Sequence, residues 1–291
     1  MDRSIGDSFL PLNRHDTYPA IELAKADLSG KVVVVTGASR GIGKDIAVAM
    51  AQGGAKGLVL LARAGLDAAK ADCRAAARPG SGLEVLAVEA DITKNDQVVA
   101  AAKRAEATFG RVDIVINNAG YLEQYNFIAD SEPDEWWKTF EVNVRGTYQV
   151  SRAFLPLLIK CGGDKTIVNL TSPASIGFLP QFSAYSISKL AQLRFTEWVG
   201  VEYGDKGVIA YSVNPGMHLT DMGARMPPEI VNAPIWHDKP ALPAHTLLWL
   251  VNERREWLSG RYLDCRWDVE ALLAKKQEVI DGEMLKFKMI V

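Results

Sequence analysis

From Lys31 onward the apolar positions follow two alternating spacings. The run KVVVVTG starting at Lys31 is nearly all apolar and β-branched, which fits a strand covered on both faces. A helical spacing follows from about Gly43 to Gly53, and then a second apolar run, GLVLLAR. A segment rich in alanine and lysine leads to LEVLAVEAD, and the next helical pattern leads to VDIVINNAG. The second half keeps the alternation, with a long helix near Trp136 to Lys160, the strand KTIVNLTS, a helix beginning near Tyr185 and the strand VIAYSVNPG. This order predicts an α/β fold, a Rossmann-like doubly wound parallel sheet with helices on both faces.

Three stretches depart from the alternation. Residues 1–28 carry Pro11, Pro19 and mixed charges without apolar periodicity, and predict an arm that lies on the surface or is disordered. From Met217 to about Pro243, prolines at 227, 228, 234 and 240 are interleaved with Met222, Met226, Ile230, Ile235 and Trp236. That segment predicts a lid, followed by a helix at about His245 to Asn252 and a last strand near GRYLDCRWD. The tail, residues 269–291, is amphipathic and predicts helix.

Composition narrows the reading. A chain of 291 residues that is 48% apolar can bury one substantial core, so residues 29–268 are expected to form a single domain. Lys and Arg number 33 against 35 acidic residues, a net charge of −2, which leaves no basic excess for a nucleic-acid partner. Cys73, Cys161 and Cys265 are widely spaced and belong to no Cys/His cluster, which argues against a disulfide framework and against a metal site. No apolar run approaches the ~18 residues that span a bilayer, and the polar start has no signal-peptide core, so a cytoplasmic protein without a membrane partner is expected.

The chemistry begins at the first strand-to-helix turn. Thr36, Gly37, Ala38, Ser39, Arg40, Gly41, Ile42 and Gly43 follow the strand and open a helix, where glycines let backbone N–H groups approach a pyrophosphate at the positive end of the helix dipole. One βα unit later an NAD site would place a carboxylate on the ribose 2′-hydroxyl, yet the second strand ends in Ala62 and Arg63. Arg63, helped by Arg40, suits a 2′-phosphate instead, which predicts NADP(H).

Read with NNAG at Asn117 to Gly120, YSISK at Tyr185 to Lys189 and NPG at Asn214 to Gly216, this turn resembles the short-chain dehydrogenase/reductase family over roughly Leu28 to Asp268. The resemblance implies that Asp91, beside Ile92, bonds the adenine. It also implies that Asn118, Ala119 and Gly120 lie beside the cofactor, and that Pro215, Gly216 and Thr220 touch its nicotinamide side. Four catalytic positions are implied: Asn143, Ser172, Tyr185 and Lys189, with Thr171 as a neighbouring alternative to Ser172. A homodimer or homotetramer is implied, built through the helices around Trp136 to Lys160 and Tyr185 to Tyr203. The flanking segments resemble fungal members, many of which serve secondary metabolism.

Hydride transfer to a carbonyl leaves charge on oxygen, so a proton donor must face that oxygen. Tyr185 is the expected acid, and Lys189, four residues on, shares its helix face. An ammonium about 5 Å away at an effective dielectric of about 20 is worth roughly 3 kcal/mol, or about two pKa units on the phenol. Ser172 would hold the substrate oxygen, and Asn143 would position a water joining Lys189 to solvent. Tyr121, Leu122, Phe178, Leu179, Phe182 and the lid predict walls for a medium-sized, partly apolar ketone or alcohol. Two rival functions use the same fold: a redox-silent isomerase, dehydratase or cyclase, and an NADP(H)-binding scaffold protein.

Overall fold

The computed structural model describes residues 9–289. Seven parallel strands form one sheet among them: β1 (Val32–Thr36), β2 (Gly57–Ala62), β3 (Glu84–Glu89), β4 (Ile114–Asn117), β5 (Thr166–Leu170), β6 (Ile209–Asn214) and β7 (Arg261–Asp264), in the order β3-β2-β1-β4-β5-β6-β7. The chain winds outward in one direction from β1 and in the other from β4. These two neighbours pair as Val33↔Ile114, Val34↔Val115 and Val35↔Ile116. In an open α/β sheet such a reversal leaves a crevice beyond the carboxyl ends of the strands, and the site lies there.

Alternate strand residues feed two separate cores. Val33, Val35, Leu58, Leu60, Ile114 and Ile116 face one side, where they meet Ile46 and Met50 of α1 (Gly41–Gln52) and Leu247 and Leu248 of α8 (Ala241–Asn252). Val32, Val34, Val59, Leu61 and Val115 face the other, against Val98 and Ala105 of α3 (Asn95–Phe109) and Val150, Phe154 and Leu158 of α5 (Thr147–Lys160). Burial on both faces is why these strands read as unbroken apolar runs.

The expected long helix at 136–160 is three pieces. Helix α4 (Pro133–Phe140) passes into a π-helical turn, Glu141–Gly146, and then into α5. Single π turns inside helices recur at functional sites. Gly146 permits this one a close approach, since a methyl there would stand 2.5 Å from Ile92 Cδ1. Helix α8 begins at Ala241, earlier than expected, with Pro243 in its first turn, where the missing N–H costs no helical bond.

The arm is neither loose nor superficial over its described part. Leu10, Tyr18, Ile21, Ala26 and Leu28 are buried in the first core. The Tyr18 hydroxyl donates to Trp267 O at 3.3 Å and accepts from Val269 N–H at 2.9 Å, while Arg14 pairs with Asp268. Polar residues alternate irregularly here because the segment packs against α8 and the helix after Asp268 as two short 3₁₀ turns, Pro19–Ile21 and Leu23–Lys25, rather than as a periodic element. The tail forms α9 (Val269–Ala274), capped by Asp268, and α10 (Lys276–Asp281). No helix among the described residues is long and apolar enough to cross a membrane.

Candidate active site

A cavity of about 1440 Å³ opens beyond the carboxyl ends of the strands. Gly37, Ser39, Arg40, Gly41, Ile42 and Gly43 line one end with Arg63, Asp91 and Ile92; Asn118, Ala119 and Gly120 form its floor; Ser172, Tyr185, Lys189, Pro215, Gly216 and Thr220 line the other end. Asn143 does not line it and is fully buried.

The glycine turn is shaped for close approach. Gly37 has φ +66° and Gly41 φ +54°, the left-handed region that disfavours side chains. A methyl at Gly43 would collide with Asn118 Nδ2 and Gly37 O. Thr36 Oγ1 accepts from both Asn118 N–H and Ala119 N–H at 3.0 Å, which binds the end of β1 to the end of β4. The turn opens α1, so backbone N–H groups and the helix dipole face the cavity, and a pyrophosphate fits this cradle.

Around that cradle the two arginines differ. Arg63 is exposed at the rim and makes no side-chain hydrogen bond or ion pair among the described residues. Arg40 pairs with Asp221 of the lid at 2.7 Å, both side chains about two-thirds exposed. A pair so exposed is worth roughly 0–1 kcal/mol and yields readily to a stronger anion. Asp91 accepts from Thr93 N–H and Thr93 Oγ1 at 2.9 and 2.8 Å, an Asx turn ahead of α3 and not its N-cap.

At the other end, α6 (Ser183–Tyr203) carries Tyr185 and Lys189 on one face. Lys189 Nζ donates to Leu170 O at 2.8 Å and stands 5.6 Å from the Tyr185 ring centre. Thr171 turns its hydroxyl to Lys189 O at 3.2 Å and is buried, whereas the Ser172 hydroxyl accepts Ala174 N–H at 3.2 Å; both residues line the cavity. Asn143 is committed within the protein: its Oδ1 accepts Tyr121 N–H at 2.8 Å, and its Nδ2 donates to Tyr121 O and Ser188 Oγ at 2.9 Å. Gly120 marks where the groups converge, since a methyl there would lie 3.4 Å from Asn143 Oδ1 and 3.7 Å from Lys189 Nζ.

The electrostatics depart from the expected pull of Lys189 on the phenol. Burial pushes Tyr185 up to about 12; the Ser172 hydrogen bond opposes this and the Glu123 carboxylate adds to it. Burial also lowers Lys189 to about 7. Tyr185 is only half-buried against the cavity, so solvent softens the push on it, while Lys189 is sealed at 4% exposure. Burial, which strips water from both groups, is the largest cause acting on each, and Lys189 is not among the causes that shift Tyr185.

Three further groups position this pair. Glu123 is buried; its Oε1 accepts Tyr185 N–H at 3.0 Å in the first turn of α6, and its Oε2 accepts Thr139 Oγ1 at 3.3 Å. Ser188 donates to Tyr185 O at 2.8 Å, and Gln192 Nε2 donates to Asn143 O and Thr147 Oγ1, both at 2.7 Å. Ser188 and Gln192 continue the Tyr185–Lys189 face at helical spacing, a buried polar stripe visible in the sequence; Glu123 had no such signal. Among the expected walls, Tyr121, Leu122, Leu179 and Phe182 line the cavity, but Phe178 is 98% exposed and points away from it. The lid contributes Met217, Met222, Met226, Ile230, Ile235 and Trp236.

The family profile described as short chain dehydrogenase matches residues 31–230. The chain belongs to the short-chain dehydrogenase/reductase family. A short chain dehydrogenase of Monascus purpureus is 43% identical over 290 residues, covering 99% of this chain and 98% of that one. Among solved structures, a putative short chain dehydrogenase from Pseudomonas syringae superposes with a TM-score of 0.74 at 28% identity, covering 82% of this chain and 95% of that one. An alcohol dehydrogenase from Thermococcus sibiricus, complexed with 5-hydroxy-NADP, gives 0.69 at 28% identity, covering 80% and 95%. As a short-chain dehydrogenase the protein is an oxidoreductase of a family that uses nicotinamide cofactors and acts on small molecules.

Proposed function

We propose that this short-chain dehydrogenase uses NADP(H) to reduce a ketone of a medium-sized, partly apolar substrate to an alcohol, or to run the reverse. The observation that carries the reading is the convergence of Ser172, Tyr185 and Lys189 on one wall of a cavity whose opposite end is a glycine cradle. When bound, NADPH supplies the hydride. Tyr185 stays protonated through neutral pH and donates its phenolic proton to the developing alkoxide, which suits the reductive direction. Ser172 is placed to hold the same oxygen by a hydrogen bond. Lys189 carries the replacement proton toward Tyr185, and Asn143 acts by fixing the Tyr121 loop to α6 through Ser188.

The preference for the phosphorylated cofactor rests on Arg63 and Arg40 at the rim and on the absence of a carboxylate at the end of β2. The NADP analogue in the Thermococcus enzyme supports it. Apolar lid and wall residues support a substrate larger and less polar than a small acid. The fungal relative and the flanking segments support a place in secondary metabolism.

The deciding experiment incubates the protein with NADPH and a panel of ketones and follows both nicotinamide absorbance and product mass. Stoichiometric NADPH loss and alcohol formation are expected. Tyr185→Phe is expected to keep NADPH binding and lose turnover by at least about 10³-fold, the scale of a lost general acid. Product without cofactor oxidation, or normal turnover by the variant, overturns the reading.

A further inference from the structure

The sequence holds four histidines, at 15, 218, 237 and 245, with no metal-ligand spacing between them. The fold nevertheless brings His15 from the arm beside His237 and Asp238 from the end of the lid. His15 Nδ1 lies 2.6 Å from Asp238 Oδ1, His237 Nε2 lies 3.9 Å from the same oxygen, and one ligand atom from each residue falls within 4.8 Å of the others. The two imidazoles meet edge to face at 4.2 Å between centres. We propose that His15, His237 and Asp238 bind one divalent transition-metal ion, zinc by class, which staples the arm to the lid.

The donor set fits that class: two imidazole nitrogens and one carboxylate oxygen suit zinc and its late first-row neighbours, and three protein ligands leave one position for water. Magnesium and calcium, which take oxygen ligands, do not match it. The required movement is small. Ligands about 2.0–2.1 Å from a tetrahedral ion stand about 3.3 Å apart, so the His15–Asp238 contact opens by about 0.7 Å and the His237–Asp238 contact closes by about 0.6 Å.

Access and anchoring are divided among the ligands. The His15 and His237 side chains are 41% and 50% exposed and free to adjust, while that of Asp238 is fully buried. Asp238 is oriented by its second oxygen, which accepts Met217 N–H at 2.6 Å, and Lys239 N–H holds His15 O at 2.7 Å. Arg266, a cation within electrostatic reach of Asp238, has its guanidinium already neutralised by Asp264 at 2.8 and 2.9 Å. Because Met217 follows Gly216 in the cavity wall, an ion on Asp238 stiffens that wall from behind without touching it.

The test measures Zn²⁺ binding to the full chain, freed of metal by a chelator, by competition with a chromogenic zinc ligand, and reads Co²⁺ absorption for tetrahedral coordination. One ion per chain is expected, with thermal unfolding moved upward by Zn²⁺ and left unchanged by Mg²⁺. His15→Gln and His237→Gln are each expected to weaken binding at least tenfold, while Cys161→Ser leaves it intact. His237→Gln replaces a half-exposed side chain, so it reports on the site even if the arm variant unfolds. Absence of stoichiometric zinc, or zinc held equally well by His237→Gln and His15→Gln, overturns the proposal. Ketone reduction is not a readout here, so this result is independent of the proposed reaction.

Discussion

Replacing Lys189 with methionine tests the central electrostatic claim of the site. Lys189 ordinarily titrates at 10.5 and burial brings it to about 7. At pH 7 the folded chain therefore carries about half a proton on this amine and the unfolded chain a full one; at pH 9 the folded chain carries none and the unfolded chain nearly one. The unfolded state binds more protons throughout this window, so stability rises with pH. Integrating between the two values, this single group adds about 2 kcal/mol of stability on going from pH 7 to pH 9. Lys189→Met removes that slope. It also strands Leu170 O, which loses its 2.8 Å donor at a cost of about 1–3 kcal/mol, so absolute stability is a mixed readout and the difference in slope is the clean one. Urea unfolding of cofactor-free parent and variant, followed by tryptophan fluorescence at pH 7 and 9, measures it. Equal pH dependence in the two proteins would mean that Lys189 keeps its ammonium when buried, and the reasoning fails.

Other expectations follow from the same contacts. Glu123→Ala leaves Tyr185 N–H without its buried acceptor and is expected to cost about 1.5–3 kcal/mol in urea unfolding and to lower kcat, with Glu123→Gln recovering most of the stability. Glu123→Gln also removes a negative charge that pushes the Tyr185 phenol up, so the basic limb of the kcat profile should move to lower pH. Arg63→Ala should reduce the ratio of kcat/KM for NADPH over NADH by about 10–100-fold, the value of one charge-assisted phosphate contact. Tyr18→Phe deletes the hydroxyl bridging Trp267 O and Val269 N–H and should cost about 1–3 kcal/mol by urea unfolding, whereas an arm that merely lay on the surface would show no loss.

What was legible in the sequence shares a physical cause. The inner strands declared themselves because burial on both faces demands nearly continuous apolar runs, and the glycine turn because only glycine tolerates φ of +66° and +54° at Gly37 and Gly41. Tyr185 and Lys189 were paired by a four-residue spacing that any helix turns into proximity. The arm was illegible because its partners lie about 250 residues away, as Tyr18 against Trp267 and Val269 illustrates, and nothing local marks Leu10 or Ile21 as core. The π turn was illegible because a run of 25 residues reads as one helix until the phase slips at Glu141–Gly146, and that slip accompanies Asn143 making its bonds inside the protein.

The hydration of Lys189 is illegible in the sequence for a further reason. Spacing fixes the distance over which Coulomb attraction acts, but the water left around each group is set by packing from Leu170, Thr171 and the loop after β4, residues remote in the chain. At 5.6 Å from the Tyr185 ring the ammonium would attract a phenolate; at 4% exposure the ammonium itself becomes the costly species. In the cofactor-free site burial therefore drives both members of the pair toward neutrality.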